Sequence, residues 1–170
     1  MQGILRALNA SGNSMQILPV IDLMHGQVVR GVAGRRAQYK PVVSKLTKSA
    51  DPIDVALAFR EHFGFDELYL ADLDAIAGRA AALDVYQRLH SHDFRLWVDA
   101  GLRRADAVAP LLEHGVASIV AGLETLAGPE ALAELLAHVT PARLVFSLDL
   151  KAGQPLTAND AWMAADAFGI

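Results

Sequence analysis

The stretches IDLMHGQ (residues 21–27) and LDLKAGQ (residues 148–154) decide the fold class of this chain. Both follow the pattern (Ile/Leu)-Asp-Leu-x-x-Gly-Gln, and both end an apolar run. An acidic residue at the end of a buried strand, followed by a glycine turn, is how an α/β barrel presents a catalytic carboxylate. The two acids, Asp22 and Asp149, lie 127 positions apart (149 minus 22). This repeat predicts a duplicated half-barrel with a matched acid/base pair.

Length and composition limit the function classes that the chain can serve. Its 170 residues are enough for one domain with a substantial core and too few for two ordinary domains. Hydrophobic residues make up 53% of the chain and its mean hydropathy is +0.28, which excludes a disordered protein. The net charge of −4 and the lack of a long basic run argue against non-specific nucleic-acid binding.

Cysteine is absent, which excludes disulfides, thiolate chemistry and cysteine-based zinc sites. The histidines show no His-x-x-x-His spacing, and His90 and His92 are predicted in a loop on the face opposite the acids. We therefore expect no metal and no other cofactor. The chain has no run of about 18 apolar residues that could cross a membrane. These features are compatible with a cytoplasmic protein.

The first 14 residues are predicted to be an extension of the folded domain. They contain a weak apolar segment but no long hydrophobic region and no convincing signal-peptide cleavage site. We expect residues 1–14 to be mobile and residues 15–170 to form one barrel-type domain.

Short apolar runs alternate with longer amphipathic ones, a pattern typical of repeated βα units. Strands are predicted at residues 16–23, 67–72, 95–99, 118–121 and 144–149. Helices are predicted at residues 53–63, 80–90, 104–114, 130–138 and 161–167. The strands are almost continuously apolar, as expected for a parallel sheet that is covered on both faces.

The number of βα units is five, the last incomplete, whereas a closed (β/α)8 barrel needs eight. The predicted fold is therefore α/β, a partial TIM-type barrel formed by a truncated chain. An open sheet of five strands exposes unpaired edges and one apolar face, so we expect self-association through the sheet edges.

A long polar insert separates the first predicted strand from the first helix. Residues 27–32 are predicted to form a short hairpin, and residues 34–41 (GRRAQYKP) a loop. Loops of this length in compact domains are usually functional or disordered. Because the insert follows Asp22, we favour a substrate lid; the alternative is a solvated basic loop.

Four segments, in order, carry a resemblance to a known family. They are LPVIDLMHGQVVR (residues 18–30), DPIDVA (51–56), LADLDA (70–75) and FSLD (146–149). Together they closely resemble the histidine-biosynthesis (β/α)8-barrel family (HisA/HisF), which contains a phosphoribosylformimino-aminoimidazole-carboxamide-ribotide isomerase and a cyclase. The likeness covers Met15 to about Trp162. Family members are barrels of two similar halves, in agreement with the repeat.

Resemblance to the isomerase implies an Amadori rearrangement of an aminoaldose to an aminoketose in histidine biosynthesis. In this reaction a carboxylic acid protonates the ribose ring oxygen and a carboxylate removes the C2 proton. Residue matching implies that Asp22 is the base and Asp149 the acid, roles that differing environments can separate. The cyclase uses an equivalent pair, so the acids alone do not select the reaction. From the residues alone, Asp22 could instead cap the turn that follows it.

The resemblance also implies a phosphate site built from two turns. In the family, backbone N–H groups in a glycine-rich turn after strand three and a Gly-Thr turn after strand four hold the phosphate. Gly101, Arg103 and Gly122 match this pattern. Asp99 and Glu124 depart from it and add negative charge. At an effective dielectric near 20, like charges about 4 Å apart repel by about 4 kcal/mol, so these acids point outward, bind a cation or mark a different ligand.

Two further residues match the family and have open roles. Asp72, in the Asp-Leu-Asp after strand two, is predicted to order the site through hydrogen bonds in the loop, or to be purely structural. Trp162 matches a tryptophan that lies against a substrate ring, and is equally well explained as a core residue.

Three functions follow from these observations. The first is a sugar-phosphate isomerase with a small phosphorylated sugar as its substrate. The second is a paralogue linked to one-carbon, methanopterin-type metabolism, because the insert and the segment after strand two resemble such relatives; its reaction cannot be derived. The third is a catalytically inactive partial barrel that serves as an assembly module.

Overall fold

The computed structural model describes residues 7–8, 14–32, 35–158 and 160–163, and shows an α/β protein, as predicted. The strands are β1 (Ala7–Leu8), β2 (Ser14–Met15), β3 (Val20–Met24), β4 (Gln27–Arg30), β5 (Lys40–Pro41), β6 (Glu67–Asp72), β7 (Arg95–Asp99), β8 (Val116–Gly122), β9 (Leu144–Ser147), β10 (Leu150–Lys151) and β11 (Gln154–Pro155). The α-helices are α1 (Pro52–Phe63), α2 (Leu73–Ile76), α3 (Leu83–Ser91), α4 (Val108–Glu113) and α5 (Pro129–His138). Short 3-10 helices cover Arg36–Gln38, Ala105–Ala107, Pro141–Arg143 and Asp160–Met163.

The main sheet has the order β5-β4-β3-β6-β7-β8-β9. Its last five strands are parallel neighbours, and each connection between them contains at least one α-helix. Such βα repetition brings the carboxyl ends of all parallel strands to one end of the sheet. Asp22, Asp72 and Asp99 therefore lie at the same end.

Burial alternates along three of the parallel strands. In β6, Leu68 and Leu70 are fully buried against the helices, whereas the residues between them are half-buried. Strands β3 and β7 show the same alternation, whereas β8 is buried almost throughout. The expectation that both faces are covered is wrong for this structure. Within the described residues the sheet is open, so helices cover one face and the other stays partly exposed.

Helix α1 shows how closely local sequence determines an element. Asp51 is its N-cap and accepts a hydrogen bond of 2.8 Å from the N–H of Ile53, and Pro52 occupies the first turn. The helix ends at Gly64, whose φ of 72° is left-handed. The predicted start and stop signals are both confirmed.

Several other predicted bounds differ. Residues 67–72 and 95–99 match β6 and β7, but β3 begins only at Val20, β8 extends beyond residues 118–121 at both ends, and β9 ends at Ser147. The helix predicted at residues 80–90 is wrong at its start. The chain forms α2 and α3 instead, because the Asp72 carboxylate accepts N–H groups from α2 and from Ala82 and so fixes the turn between the helices.

Two predicted helices are shorter or of another type. Residues 104–114 form a 3-10 turn followed by α4, which ends before Gly115. Of residues 161–167, the described part belongs to the 3-10 helix Asp160–Met163, and the rest lies outside the described residues. None of the described helices has the length and hydropathy that a membrane crossing requires.

The insert after Asp22 is partly ordered into the sheet. Strand β4 pairs with the end of β3, and β5 pairs with β4, so the predicted hairpin at residues 27–32 in fact uses β3 as its first arm. The predicted loop at 34–41 contains the 3-10 helix Arg36–Gln38 and β5. In the amino-terminal extension, β1 and β2 pair with each other; its other residues lie outside the described ranges.

Candidate active site

Both copies of the repeated motif form the same β-hairpin. In each copy two residue pairs make an antiparallel ladder, and the second ladder repeats the first 127 positions later. The pairs are Leu23 with Val28 and Met24 with Gln27 in the first copy, and Leu150 with Pro155 and Lys151 with Gln154 in the second.

The turns of the two hairpins also agree. Both turn residues have positive φ in each copy: 53° and 74° at His25 and Gly26, and 52° and 80° at Ala152 and Gly153. Positive φ at both positions is the hairpin geometry that matches the twist of the flanking strands. The sequence repeat is therefore a repeat of backbone conformation, and Asp22 and Asp149 occupy equivalent positions one residue before each ladder.

Asp22 is half-buried at the carboxyl end of β3. A cavity of about 240 Å³ lies beside it, lined mainly by apolar side chains that include Val55 and Phe59. Burial raises the pKa of the Asp22 carboxyl above its ordinary value. A Cβ placed on Gly31 would lie 3.2 Å from Asp22 Oδ2 and 3.7 Å from the Tyr39 hydroxyl. The insert thus places Gly31 against this carboxylate and Tyr39 beside Gly31.

Asp99 is a third carboxylate on the same face of the sheet. Asp22 is in register with Ala71 of β6, and Ala71 is in register with Asp99 of β7. Residues in register on parallel strands point to the same face, and two strand spacings separate the backbones of the two acids by about 10 Å. Asp149 lies two residues after Ser147, the last residue of β9, and is close enough to act on both Tyr69 and Asp99.

Tyr69 connects these acids. Burial raises its pKa, and the negative charges of Asp99, Asp149 and Asp22 raise it further, as does its hydrogen bond with Asp99. Burial also raises the pKa of Asp99, against the lowering effect of the Gly101 N–H; Glu124 and Asp149 add to the rise. Three strand-end acids therefore surround one phenol. Sequence reasoning missed Tyr69, although its position between buried Leu68 and Leu70 was a signal for the open face.

The turn after β7 is held by contacts within the chain. Gly101 donates its N–H to Asp99 Oδ1 at 2.9 Å. Its φ is +60°, and a Cβ there would lie 2.6 Å from the Ile76 Cα, so only glycine fits without a backbone shift. The Arg103 guanidinium donates to the carbonyls of Gly101 and Ile76, both at 3.0 Å. The predicted phosphate residues Gly101 and Arg103 are thus together, and Arg103 bridges two loops.

The turn after β8 contains the third predicted phosphate residue, Gly122. Its carbonyl accepts the N–H groups of Thr125 at 3.0 Å and Leu126 at 3.1 Å, and the Thr125 hydroxyl at 3.1 Å. Leu123 donates its N–H to the Ser147 carbonyl at 2.9 Å. This turn lies next to the β7 turn at the end of the sheet, which is the arrangement that the resemblance implied.

Asp72 is a structural hub of the site. It is 1% exposed and accepts four hydrogen bonds, from the N–H groups of Asp74, Ala75 and Ala82 and from the Tyr86 hydroxyl at 2.6 Å. The hydrogen bonds predicted for Asp72 are confirmed, and its carboxylate faces the loop backbone.

Asp74 links the loop after β6 to the first hairpin. It accepts the His25 N–H at 2.7 Å and pairs with Arg79. Burial acts to raise the pKa of Asp74, but the hydrogen bonds from Arg79 and His25 outweigh it and lower this pKa. Asp74 thus ties the turn that follows Asp22 to the neighbouring loop.

Trp162 lies on the helix side of the sheet. It is 2% exposed, its ring is 5.5 Å from that of Phe146, and its indole N–H donates to the Leu126 carbonyl at 2.8 Å. Phe146 is in register with buried Ala121, so both belong to the face opposite Asp99. The structure does not bring Trp162 together with the acids.

The described residues contain no cluster of three or more histidine or acidic side chains suited to a metal ion.

Residues 16–167 match the family described as histidine biosynthesis protein. The chain belongs to this family. The resemblance stated from the sequence is thereby confirmed.

Relatives in this family include enzymes and an uncharacterized protein. The chain is 34% identical to a 1-(5-phosphoribosyl)-5-((5-phosphoribosylamino)methylideneamino) imidazole-4-carboxamide isomerase of Syntrophomonas wolfei, over 88% of the chain and 59% of the relative. It is 37% identical to the isomerase of the same name from Cenarchaeum symbiosum, over 87% and 59%. It is 36% identical to an uncharacterized protein of Methanocaldococcus jannaschii, over 84% and 59%.

The chain thus spans about three fifths of the length of these relatives. Within that part, the protein has Asp22 and Asp149 in its two hairpin motifs and Asp99 in the turn after β7.

Proposed function

We propose that this protein is an aldose–ketose isomerase of the Amadori type, acting on a phosphorylated aminoaldose as in histidine biosynthesis. The observation that carries the proposal is the duplicated hairpin, which gives Asp22 and Asp149 equivalent positions one residue before each ladder. The names of the isomerase relatives support the reaction class.

The proposed chemistry needs only the two acids and no co-reactant. Asp149, as a carboxylic acid, protonates the ribose ring oxygen and opens the ring. As the ring C1–O bond breaks, the amino nitrogen forms a C=N bond with C1. Asp22, as a carboxylate, then removes the C2 proton to give an enaminol. The enaminol becomes the aminoketose as C1 takes up a proton and the C2 hydroxyl returns one to Asp149, so that no atom is gained or lost. Proton transfer by a positioned side chain contributes about 10²–10⁴-fold to a rate.

The environment of Asp22 suits the role of base. Burial raises the pKa of its carboxyl, and a carboxylate of higher pKa accepts a proton from carbon more readily. Gly31 of the insert packs against it, with Tyr39 beside Gly31, which supports the interpretation of that insert as part of a substrate lid.

Complementation tests this function. We expect the chain to restore growth without histidine in a bacterial strain that lacks the imidazole-carboxamide isomerase. The Asp22→Asn variant, expressed at the same level, is expected to fail. An Asp54→Asn variant is the matched control, because Asp54 is exposed on α1 and the charge change is the same. Growth with Asp22→Asn would exclude Asp22 as the base of the reaction.

A second candidate is an isomerase of the same family with another substrate. The identity to the uncharacterized relative and the acidic Asp99 in the β7 turn favour it. This candidate predicts that the auxotroph does not grow, whereas a purified chain still catalyses exchange of a sugar C2 proton that depends on Asp22. An inactive assembly module predicts neither result.

The partial barrel, self-association and a cytoplasmic location belong to the same proposal. Large apolar side chains are exposed on the two outermost parallel strands: Val20 is 59% exposed at the start of β3, and Leu148 is 52% exposed just after β9. Burying such edges against a second copy would remove this surface from water. Sedimentation velocity is expected to show a concentration-dependent dimer that Leu148→Glu weakens; a monomer at all concentrations would contradict it.

A further inference from the structure

In the turn after β7, the side-chain carboxylate of Asp99 already occupies a backbone donor. Asp99 Oδ1 accepts the Gly101 N–H at 2.9 Å, so the backbone donor that a glycine turn offers to a phosphate is taken by a carboxylate. The Asp99 side chain is also hydrogen-bonded with Tyr69, which holds it in this position. An incoming anion would have to displace it and then remain beside its charge.

Three backbone donors of the neighbouring turn, after β8, are also occupied. The N–H groups of Leu123, Thr125 and Leu126 all donate to backbone carbonyls. Arg103, which in another rotamer could reach an anion, uses its two terminal nitrogens on the carbonyls of Gly101 and Ile76. Internal acceptors thus occupy these donors of the two turns.

The local charge is unfavourable to a further anion. Glu124 and Asp149 lie close enough to Asp99 for their negative charges to raise the pKa of its carboxyl. A phosphate monoester is close to a dianion above pH 7, so each of these carboxylates repels it. The cations of this turn are Arg103 and Arg104; both are exposed, and Arg104 pairs with Asp106 at 3.0 Å.

We propose that Asp99 is a specificity-determining residue that excludes phosphate from the β7 and β8 turns, so that the substrate group meeting them is uncharged. A sugar hydroxyl fits best, because Asp99 can accept its hydrogen and the Tyr69 phenol lies alongside. The placement of the substrate at these turns rests on the proposed function. The inference deepens that function by moving the phosphate of the substrate away from this end.

Ribose 5-phosphate binding tests the proposal without any turnover. We would titrate it at pH 8 into the wild-type chain and into Asp99→Asn, following the Gly101 amide by two-dimensional ¹H–¹⁵N NMR. Asp93→Asn is the matched control: it removes one charge at the opposite end of β7, and its φ of 60° is one that asparagine tolerates. Asp99→Gly gives a second variant that removes the carboxylate entirely.

The expected result is that Asp99→Asn and Asp99→Gly bind ribose 5-phosphate at least about tenfold more tightly than wild type, with the shift centred on Gly101. Asp93→Asn should bind like wild type, and unphosphorylated ribose should not gain affinity in any variant. Equal binding by wild type and both Asp99 variants would overturn the inference, as would an equal gain in Asp93→Asn. Because no catalysis is measured, loss of isomerase activity alone would affect only the proposed function.

Discussion

Replacing Gly101 by alanine isolates the contact that joins the β7 turn to the loop after β6. The new Cβ would lie 2.6 Å from the Ile76 Cα and 3.3 Å from its Cβ and Cγ1, at a backbone φ of +60°. A left-handed conformation costs a residue other than glycine about 1–2 kcal/mol, and inserting a methyl group into a packed contact costs about 1–3 kcal/mol more. We therefore expect Gly101→Ala to lower the free energy of unfolding by about 2–5 kcal/mol.

Gly78→Ala is the matched control. Gly78 has a φ of +86°, but a Cβ there would meet nothing within 4 Å. It should therefore lose only the conformational part, about 1–2 kcal/mol. Urea unfolding followed by tryptophan fluorescence measures both losses, provided that the slope with denaturant is unchanged.

A second variant tests the identity of the contact. Because the nearest atom is in the Ile76 main chain, adding Ile76→Ala relieves only the 3.3 Å contact with Cγ1 and should not restore the stability of Gly101→Ala. Equal losses in Gly101→Ala and Gly78→Ala would refute the close approach of the two loops, and full rescue by Ile76→Ala would place the clash in the side chain instead.

Three further predictions concern the acids and their supports. The acid limb of the kcat/KM profile should lie above the ordinary aspartate pKa of about 3.9. The raised pKa of Asp22 keeps this base protonated to a higher pH, and activity rises as it ionises. A limb at or below that value in a steady-state pH series would contradict this. Gly31→Ala should lower kcat several-fold with little loss of stability, because its Cβ pushes on Asp22 Oδ2 from 3.2 Å; unchanged kcat would show that the carboxylate position is not critical. Tyr86→Phe should lower the free energy of unfolding, measured by heat or urea, by about 1.5–3 kcal/mol, because it removes the 2.6 Å hydrogen bond to buried Asp72. A loss below about 0.5 kcal/mol would count against Asp72 as the hub of the loop.

Features set by neighbouring residues were predictable from the sequence. The cap at Asp51, the stop at Gly64 and the strands β6 and β7 all depend on local chemistry, and so do the two hairpin turns. The equivalence of Asp22 and Asp149 followed from the repeat alone, because the same residues at the same spacing form the same turn.

Features that depend on contacts between distant residues were not predictable. The break between α2 and α3 exists because Asp72 reaches Ala82, ten positions along the chain, and nothing in residues 80–90 signals it. The role of Arg103 as a bridge to Ile76 and the position of Trp162 on the helix side depend in the same way on neighbouring loops.

The most direct test of the acid–base pair is the isomerisation rate of the purified chain with the imidazole-carboxamide substrate, compared among wild type, Asp22→Asn, Asp149→Asn and the double variant. If the two acids act as one unit, each single variant should lose about 10²–10⁴-fold or more in kcat while keeping its fold by circular dichroism, and the double variant should lose little more than either single one. A single variant that retains full activity would contradict the proposed pair.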